Sequence, residues 1–213
     1  MVSYFFKRLP KHIGIIPDGN RRWAEAQGMT KEKGYFFGLD PGIRLYELCL
    51  ALGIPELTFY GFTVDNTKRP SYQRDAFRKA CVEAVKRLSQ RDAALLVVGN
   101  TSSPQFPPEL LPYTQKRTVF GKGSVKVNFL VNYGWKWDLE HLAQGFSALP
   151  SADISRVDLI IRWGGRRRLS GFLPIQSIYA DFYVIDDYWP DFKDEHLYQA
   201  LSWYQEQDIT LGG

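Results

Sequence analysis

The sequence predicts an α/β fold, a mostly parallel central sheet flanked by helices, in one domain spanning residues 1–213. Apolar, β-branched runs alternate with amphipathic segments from end to end, the pattern of strand–helix–strand units whose sheet is covered on both faces. No internal repeat or low-complexity linker divides the chain. At 213 residues, 45% hydrophobic and 15% aromatic, it can bury a single core and lacks the composition of a disordered polymer.

The elements follow in order. "HIGIIP" (12–17), "ELTFYGF" (56–62), "ALLVVG" (94–99), "VKVNFLV" (125–131) and "DLIIRW" (158–163) read as strands, and "DFYVID" (181–186) adds a sixth. Helical spacing of apolar residues occupies 20–28, 40–52, 71–91, 108–117 and 137–147, and 193–206 closes the chain as a helix. Cys49 and Cys81 are too few for a disulfide framework and read as small core residues of a reducing compartment. No apolar run approaches ~18 residues, and "MVSYFFKRLPKH" lacks a signal-peptide core. The expectation is a soluble, cytoplasmic protein. Membrane contact is at most peripheral, through Tyr4, Phe5 and Phe6 beside Lys7 and Arg8; a packed chain end is the plainer reading.

The net charge of +4 suits an anionic small molecule, a membrane surface or nucleic acid equally, so the clusters must decide. In open α/β sheets ligands bind beyond the carboxyl ends of strands, and the polar motifs fall there. "IIPDGNRRWAEAQG" (15–28) runs from a strand through a turn into a helix start, whose unpaired N–H groups suit a phosphate. Gly19 permits close backbone approach, Asn20 opens the helix, and Arg22 adds a bidentate fork one turn in. Asp18 would repel an anion there unless a divalent cation lay between, which is the usual design for Mg²⁺. Asp-Gly is also an ordinary turn, and Asp18 or Asn20 an ordinary cap. "DLIIRWGGRRRLSGFLP" (158–174) brings Arg162, Arg168 and Ser170 around two glycines, a second candidate diphosphate site. A nucleic-acid surface needs a longer basic face with stacking aromatics, and the cluster is short, so no nucleic-acid partner is expected. "YGFTVDNTKRP" (60–70) adds Thr63, Asn66 and Arg69 past another strand. Asp181 could supply a second carboxylate, whereas Asp186, Asp187 and Asp191 read as turn and capping residues because Pro190 breaks any helix there.

Six collinear blocks, "HIGIIPDGNRRWA", "LTFYGFTVDNTKRP", "VNFLVNYGWKWD", "DLIIRWGGRRRLSGFL", "QSIYADFYV" and "WPDF", resemble the cis-prenyltransferases, the undecaprenyl diphosphate synthase family. The resemblance implies a cis-prenyltransferase-like fold with a hydrophobic tunnel, a homodimer, and Mg²⁺-dependent coupling of prenyl diphosphates. By residue, it implies that Asp18 acts at the allylic diphosphate with the metal, and that Gly19, Asn20, Arg22, Lys31 and Arg69 line that first diphosphate site. Thr63 and Asn66 match a pair near the reacting carbons, with Asp18 the catalytic set. Arg162, Arg168 and Ser170 match the second diphosphate site, and Asp181 stands where the family has a metal-holding glutamate.

The departures point to the acceptor. Where the family has Arg-Thr-Gly-Gly-Glu-x-Arg-x-Ser-Asn-Phe, this chain has Trp163, Arg166 and Gly171 at the Thr, Glu and Asn positions. Tyr35 replaces a histidine, Thr67 a tryptophan, and "DITLGG" the basic C-terminal tail. The phosphate-binding residues are kept while their neighbours change, which favours an active enzyme with altered acceptor handling. The sequence is similar to the branch that joins two dimethylallyl diphosphates head to middle, giving acyclic lavandulyl or cyclised cyclolavandulyl skeletons. The alternatives are a regular head-to-tail synthase using isopentenyl diphosphate, and a non-catalytic subunit of a heteromeric prenyltransferase. Phe36, Phe37, Tyr46, Tyr60 and Phe62 are the bulky residues expected to shorten a product tunnel, an aromatic core being the plainer reading of each.

Overall fold

The computed structural model describes residues 5–208. Its strands are β1 (His12–Ile16), β2 (Glu56–Tyr60), β3 (Ala93–Val98), β4 (Thr118–Val119), β5 (Val125–Leu130), β6 (Leu159–Arg162) and β7 (Asp181–Val184). They form one sheet in the order β4-β3-β5-β2-β1-β6-β7, parallel throughout except for the β3–β4 pair. The helices are α1 (Asn20–Ala26), α2 (Gly34–Phe37), α3 (Leu39–Ala51), α4 (Ser71–Leu88), α5 (Trp135–Ala143) and α6 (Asp194–Gln205). The α/β class with a mostly parallel, helix-flanked sheet is therefore observed.

Alternation along the strands builds two cores. Ile13, Ile15, Leu57, Phe59, Val127, Phe129 and Ile161 face one side, where they pack with Leu45, Val85, Leu197 and Leu201 of α3, α4 and α6. Ile16, Tyr60, Leu130 and Ile160 face the other, with Val157, Phe172 and Leu173. Burial on both faces is why these strands read as continuous apolar runs. Cys49 and Cys81 are buried free thiols, and burial pushes Cys81 up to about 12.

Differences from the sequence reading have local causes. Segment 108–117 forms only a 3₁₀ turn, Pro108–Tyr113, with Pro112 inside it; proline has no N–H to extend an α-helix. A 3₁₀ turn at Lys31–Lys33 and the short α2 precede α3. At the N-terminus Phe6 packs against the core beside Tyr198, and Arg8 donates to Gln207 O at 2.9 Å while lying over the Tyr204 ring. Phe5 is exposed, and Tyr4 lies outside the described residues, as do residues 209–213 of the tail. Among the described residues no helix is long and apolar enough to cross a membrane.

The register aligns Ile16 with Arg162 and Tyr60 with Leu130, so β1, β2, β5 and β6 all end at one edge of the sheet. Gly14 holds the arginine loop to that edge. A Cβ there would lie 2.6 Å from the Phe172 ring, so only glycine lets Phe172 seat on β1.

Candidate active site

A cavity of about 510 Å³ opens at this edge. Seven cationic side chains and three carboxylates line it, an excess that fits polyanionic ligands. Asp18, Gly19, Asn20, Arg22 and Lys31 reach it from the β1 side, Thr63, Asn66 and Arg69 from the loop after β2, Arg162 from the end of β6, and Arg166, Arg168 and Ser170 from the loop that follows. The three blocks recognised in the sequence thus converge on one space.

Asp18 sits at the centre of a cationic clamp. Its Oδ1 accepts the Gly19 N–H at 2.7 Å and lies 3.5 Å from Arg22, and its Oδ2 accepts from Arg162 at 2.8 Å. Burial works to raise the carboxyl's pKa, but the Arg162 hydrogen bond and charge, the Arg22 charge and the Gly19 N–H outweigh it. Asp18 therefore stays ionised below the usual carboxylate range. Arg22 also donates to Gly164 O at 3.0 Å and lies over the Tyr188 ring. Gly164 has φ +82°, and a Cβ there would lie 2.6 Å from the Arg22 guanidinium, so glycine is what lets the segments after β1 and β6 meet. No side chain caps α1, while Asn20 donates to Pro17 O at 2.8 Å and keeps a buried, unpartnered Oδ1.

Arg69 donates to the Tyr35 hydroxyl at 2.9 Å and lies over Phe77. Burial lowers its pKa, with Tyr35 acting the other way, so its charge gains most when an anion arrives. Thr63 and Asn66 hold the loop: the Asn66 Oδ1 accepts the Thr63 N–H at 3.0 Å, starting the 3₁₀ turn Val64–Lys68. Lys31 pairs with Glu25 at 3.0 Å.

In the second block Arg162 is 4% exposed. It donates to Ser170 Oγ at 2.9 Å and to Arg168 O, and its Nε is buried without a partner. Ser170 occupies the left-handed region at φ 53°, costing ~1–2 kcal/mol for a residue with a Cβ. Tyr60 holds it there by donating to Ser170 O at 2.8 Å. Arg166 and Arg168 are exposed at the cavity mouth, with no intramolecular side-chain partner among the described residues.

Several expectations are corrected. Asp181 opens β7 and pairs in register with Leu159, three residues before Arg162. At ~3.3 Å per residue that is about 10 Å away along a parallel strand. Burial raises the Asp181 carboxyl's pKa, with Arg8 and Asp158 as its charged neighbours. Within one chain, Asp181 does not join Asp18 in a metal site. Trp163 is fully buried, contacting Trp189 and donating to His196 Nδ1 at 3.2 Å, because alternation turns it to the face opposite Arg162. Gly171 lies under Trp135 rather than in the cavity. Of the four acceptor-pocket departures only Tyr35 and Arg166 line it. Of the expected tunnel residues, Phe36 and Phe37 are exposed, Tyr46 donates to Asp92 O at 2.7 Å, and Phe62 is fully buried in the core. Tyr60 alone lines the polar cavity.

A smaller apolar pocket of about 70 Å³ adjoins, between the sheet, α3 and α4. Gly38 at the cap of α3, Gly42 within it, and Ala80 and Ala84 of the facing α4 line it, and this four-residue spacing of small residues was the readable signal for the space. Pro17, Asn20, Tyr35, Gly61 and Phe77 border both cavities.

Asp18, the lining carboxylate held between Arg22 and Arg162, suits Mg²⁺ carried by a diphosphate, since that ion is commonly held by one or two carboxylates plus phosphate oxygens and water. Among the described residues no three His, Cys, Asp or Glu side chains group as a protein-only metal cage.

Cationic and polar groups from three strand ends, set over an apolar pocket, give the site an anion-attracting mouth and an apolar floor. Residues 16–212 match the family model described as "Putative undecaprenyl diphosphate synthase", and the chain belongs to that family, the cis-prenyltransferases. It is 33% identical over 231 residues to the ditrans,polycis-undecaprenyl-diphosphate synthase ((2E,6E)-farnesyl-diphosphate specific) of Aliivibrio fischeri, covering 96% of this chain and 89% of that protein. It is 31% identical over 238 residues to the isoprenyl transferase of Streptococcus thermophilus, covering 96% and 94%. The crystal structure of lavandulyl diphosphate synthase from Lavandula x intermedia in complex with dimethylallyl diphosphate shares the fold, with a TM-score of 0.80, 23% identity, and coverage of 96% and 98%.

Proposed function

We propose that this prenyltransferase is a short-chain, Mg²⁺-dependent prenyl diphosphate synthase that joins two dimethylallyl diphosphates head to middle. Its product would be a branched C10 diphosphate of the lavandulyl or cyclolavandulyl type, with release of diphosphate. The carrying observation is the apolar pocket. At about 70 Å³ it is far smaller than the polar cavity of about 510 Å³, an apolar floor that suits a short prenyl tail better than a long chain. Head-to-middle coupling is supported by the cavity-lining departures, Arg166 where the family pattern has glutamate and Tyr35 where it has histidine. A second reading, regular head-to-tail condensation with isopentenyl diphosphate, is favoured by the activities named for the sequence relatives.

On this reading Arg22, Arg69 and the free N–H groups at the start of α1 bind the donor diphosphate and hold its charge as the allylic C–O bond breaks. Asp18 would hold the divalent cation, which when bound neutralises charge on the departing diphosphate. Tyr60, Tyr35 and Phe77 present aromatic surface near the allylic cation. Arg162, Arg166, Arg168 and Ser170 anchor the acceptor, and the position they impose sets which alkene carbon meets the cation. A homodimer belongs to the same proposal, supported by the open β7 edge and the exposed Ile175, Ile178 and Tyr179 that precede it.

Purified protein with Mg²⁺ and dimethylallyl diphosphate alone should release a C10 diphosphate. A strict requirement for isopentenyl diphosphate moves the assignment to head-to-tail coupling, and products of many units overturn the short-chain reading. No turnover with either acceptor restores the non-catalytic subunit.

A further inference from the structure

We infer that Tyr35 is the specificity-determining residue that limits the prenyl tail on the donor diphosphate, its ring and its hydroxyl doing separable work. The inference rests on the cavity being a prenyl diphosphate site. Tyr35 is 5% exposed and borders both the polar cavity and the apolar pocket. Its hydroxyl accepts from Arg69, a donor-diphosphate residue, at 2.9 Å. Its ring lies parallel to Phe77 of α4, with centroids 4.4 Å apart and an interplanar angle of 0°. The hydroxyl end therefore belongs to the headgroup, and the ring forms part of the wall the tail must pass.

That wall is stiff. The hydroxyl is tied to the half-buried Arg69 guanidinium, the ring is stacked, and the backbone beneath is pinned. A Cβ on Gly34, the residue before, would lie 2.0 Å from Asn20 O, so α2 rests directly on α1. Beyond the wall, Trp189 bounds the pocket and donates to Gly38 O at 2.8 Å, so the space does not deepen there without moving a buried indole. Packed interiors resist such movement. A donor with a longer tail must displace the Tyr35–Phe77 stack, whereas a five-carbon tail need not.

Removing the ring should change tail selection, and removing only the hydroxyl should change headgroup affinity at every tail length. Calorimetric titration with the unreactive thiolo-diphosphate analogues of dimethylallyl, geranyl and farnesyl alcohols, and with inorganic diphosphate, reads both without turnover. Wild type should bind the dimethylallyl analogue at least about tenfold tighter than the farnesyl one, the scale on which apolar pockets discriminate by size. Tyr35→Ala, or Tyr35→Leu if the alanine variant is unfolded by circular dichroism, should erase or invert that order. Tyr35→Phe should keep the order and weaken all four diphosphates by a common factor of about ten, the effect of one hydrogen bond to a charged group. Wild type binding the farnesyl analogue as tightly as the dimethylallyl one, or Tyr35→Leu keeping the wild-type order, overturns the inference while the site reading stands. Binding of none of the four by wild type overturns the site reading itself.

Discussion

Replacing Arg162 with methionine keeps an apolar stem in the β6 end and deletes the guanidinium that clamps Asp18. The side chain is 5% exposed in wild type, and Asp18 is 33% exposed. Breaking a fully buried pair costs about 3–5 kcal/mol; solvent screening at the Asp18 end brings the expectation to about 2–3 kcal/mol. In urea unfolding that lowers the midpoint by about 1 M for a chain of this size. The sign of the pH dependence follows from the depressed Asp18 pKa. A carboxyl held below its unfolded value of about 3.9 contributes stability that is complete above about pH 5 and is lost as pH falls through the folded value. Without Arg162 only the Arg22 charge and the Gly19 N–H oppose burial, so the carboxyl's pKa rises relative to wild type and protonation relieves the variant first. The deficit of Arg162→Met should therefore be largest at pH 7.5 and narrow by pH 4. Arg162→Lys, which keeps a charge but not the fork, should lie between the two. A deficit under about 0.5 kcal/mol at pH 7.5, the size of an ordinary surface change, or one as large at pH 4, would refute the clamp.

Three further variants separate the roles of neighbouring residues. Asp18→Ala should lower single-turnover coupling by about 10²–10³-fold, the usual loss of one group that meets developing charge; near-normal rates would remove Asp18 from the chemistry. Arg168→Ala should leave urea stability within about 0.5 kcal/mol, because no intramolecular partner is lost, yet raise the acceptor KM about 10–100-fold. An unchanged KM would take Arg168 out of the second diphosphate site. Gly171→Ala sets a Cβ 2.7 Å from Trp135 at φ +81°, an overpacking and left-handed cost of about 2–3 kcal/mol together. Trp135→Gly in the same chain should return the overpacking part, and strictly additive losses would show that the two residues do not meet.

How much could be read in advance depended on whether the governing contact was local. The central strands announced themselves because burial on both faces leaves an unbroken apolar run, and the parallel order then brought Asp18, Arg69 and Arg162 to one edge without further information. The two-residue β4 is too short to leave any pattern, and segment 108–117 shows helical spacing whose prolines decide otherwise. Two of the misplaced site residues were recoverable from rules already in hand. Asp181 begins its strand while Arg162 ends a parallel neighbour, so a reading that made both strands parallel already set them at opposite ends. Trp163 follows an inward-facing Arg162 by one residue, and a period of two sends it to the other face. Gly171 and Trp135 are different in kind. They are 36 residues apart, and one sequence cannot show that an indole fills the space that an asparagine side chain at position 171 would need. The same holds for Tyr35, Arg69 and Phe77, which meet only because Gly34 lets α2 lie on α1. Anion-binding groups follow strand ends and are written locally, whereas the walls that choose a tail or orient an acceptor are made by pairs of distant elements. A change of substrate can therefore leave every recognisable motif intact, and the departures in this chain carry meaning only through the side chains they touch.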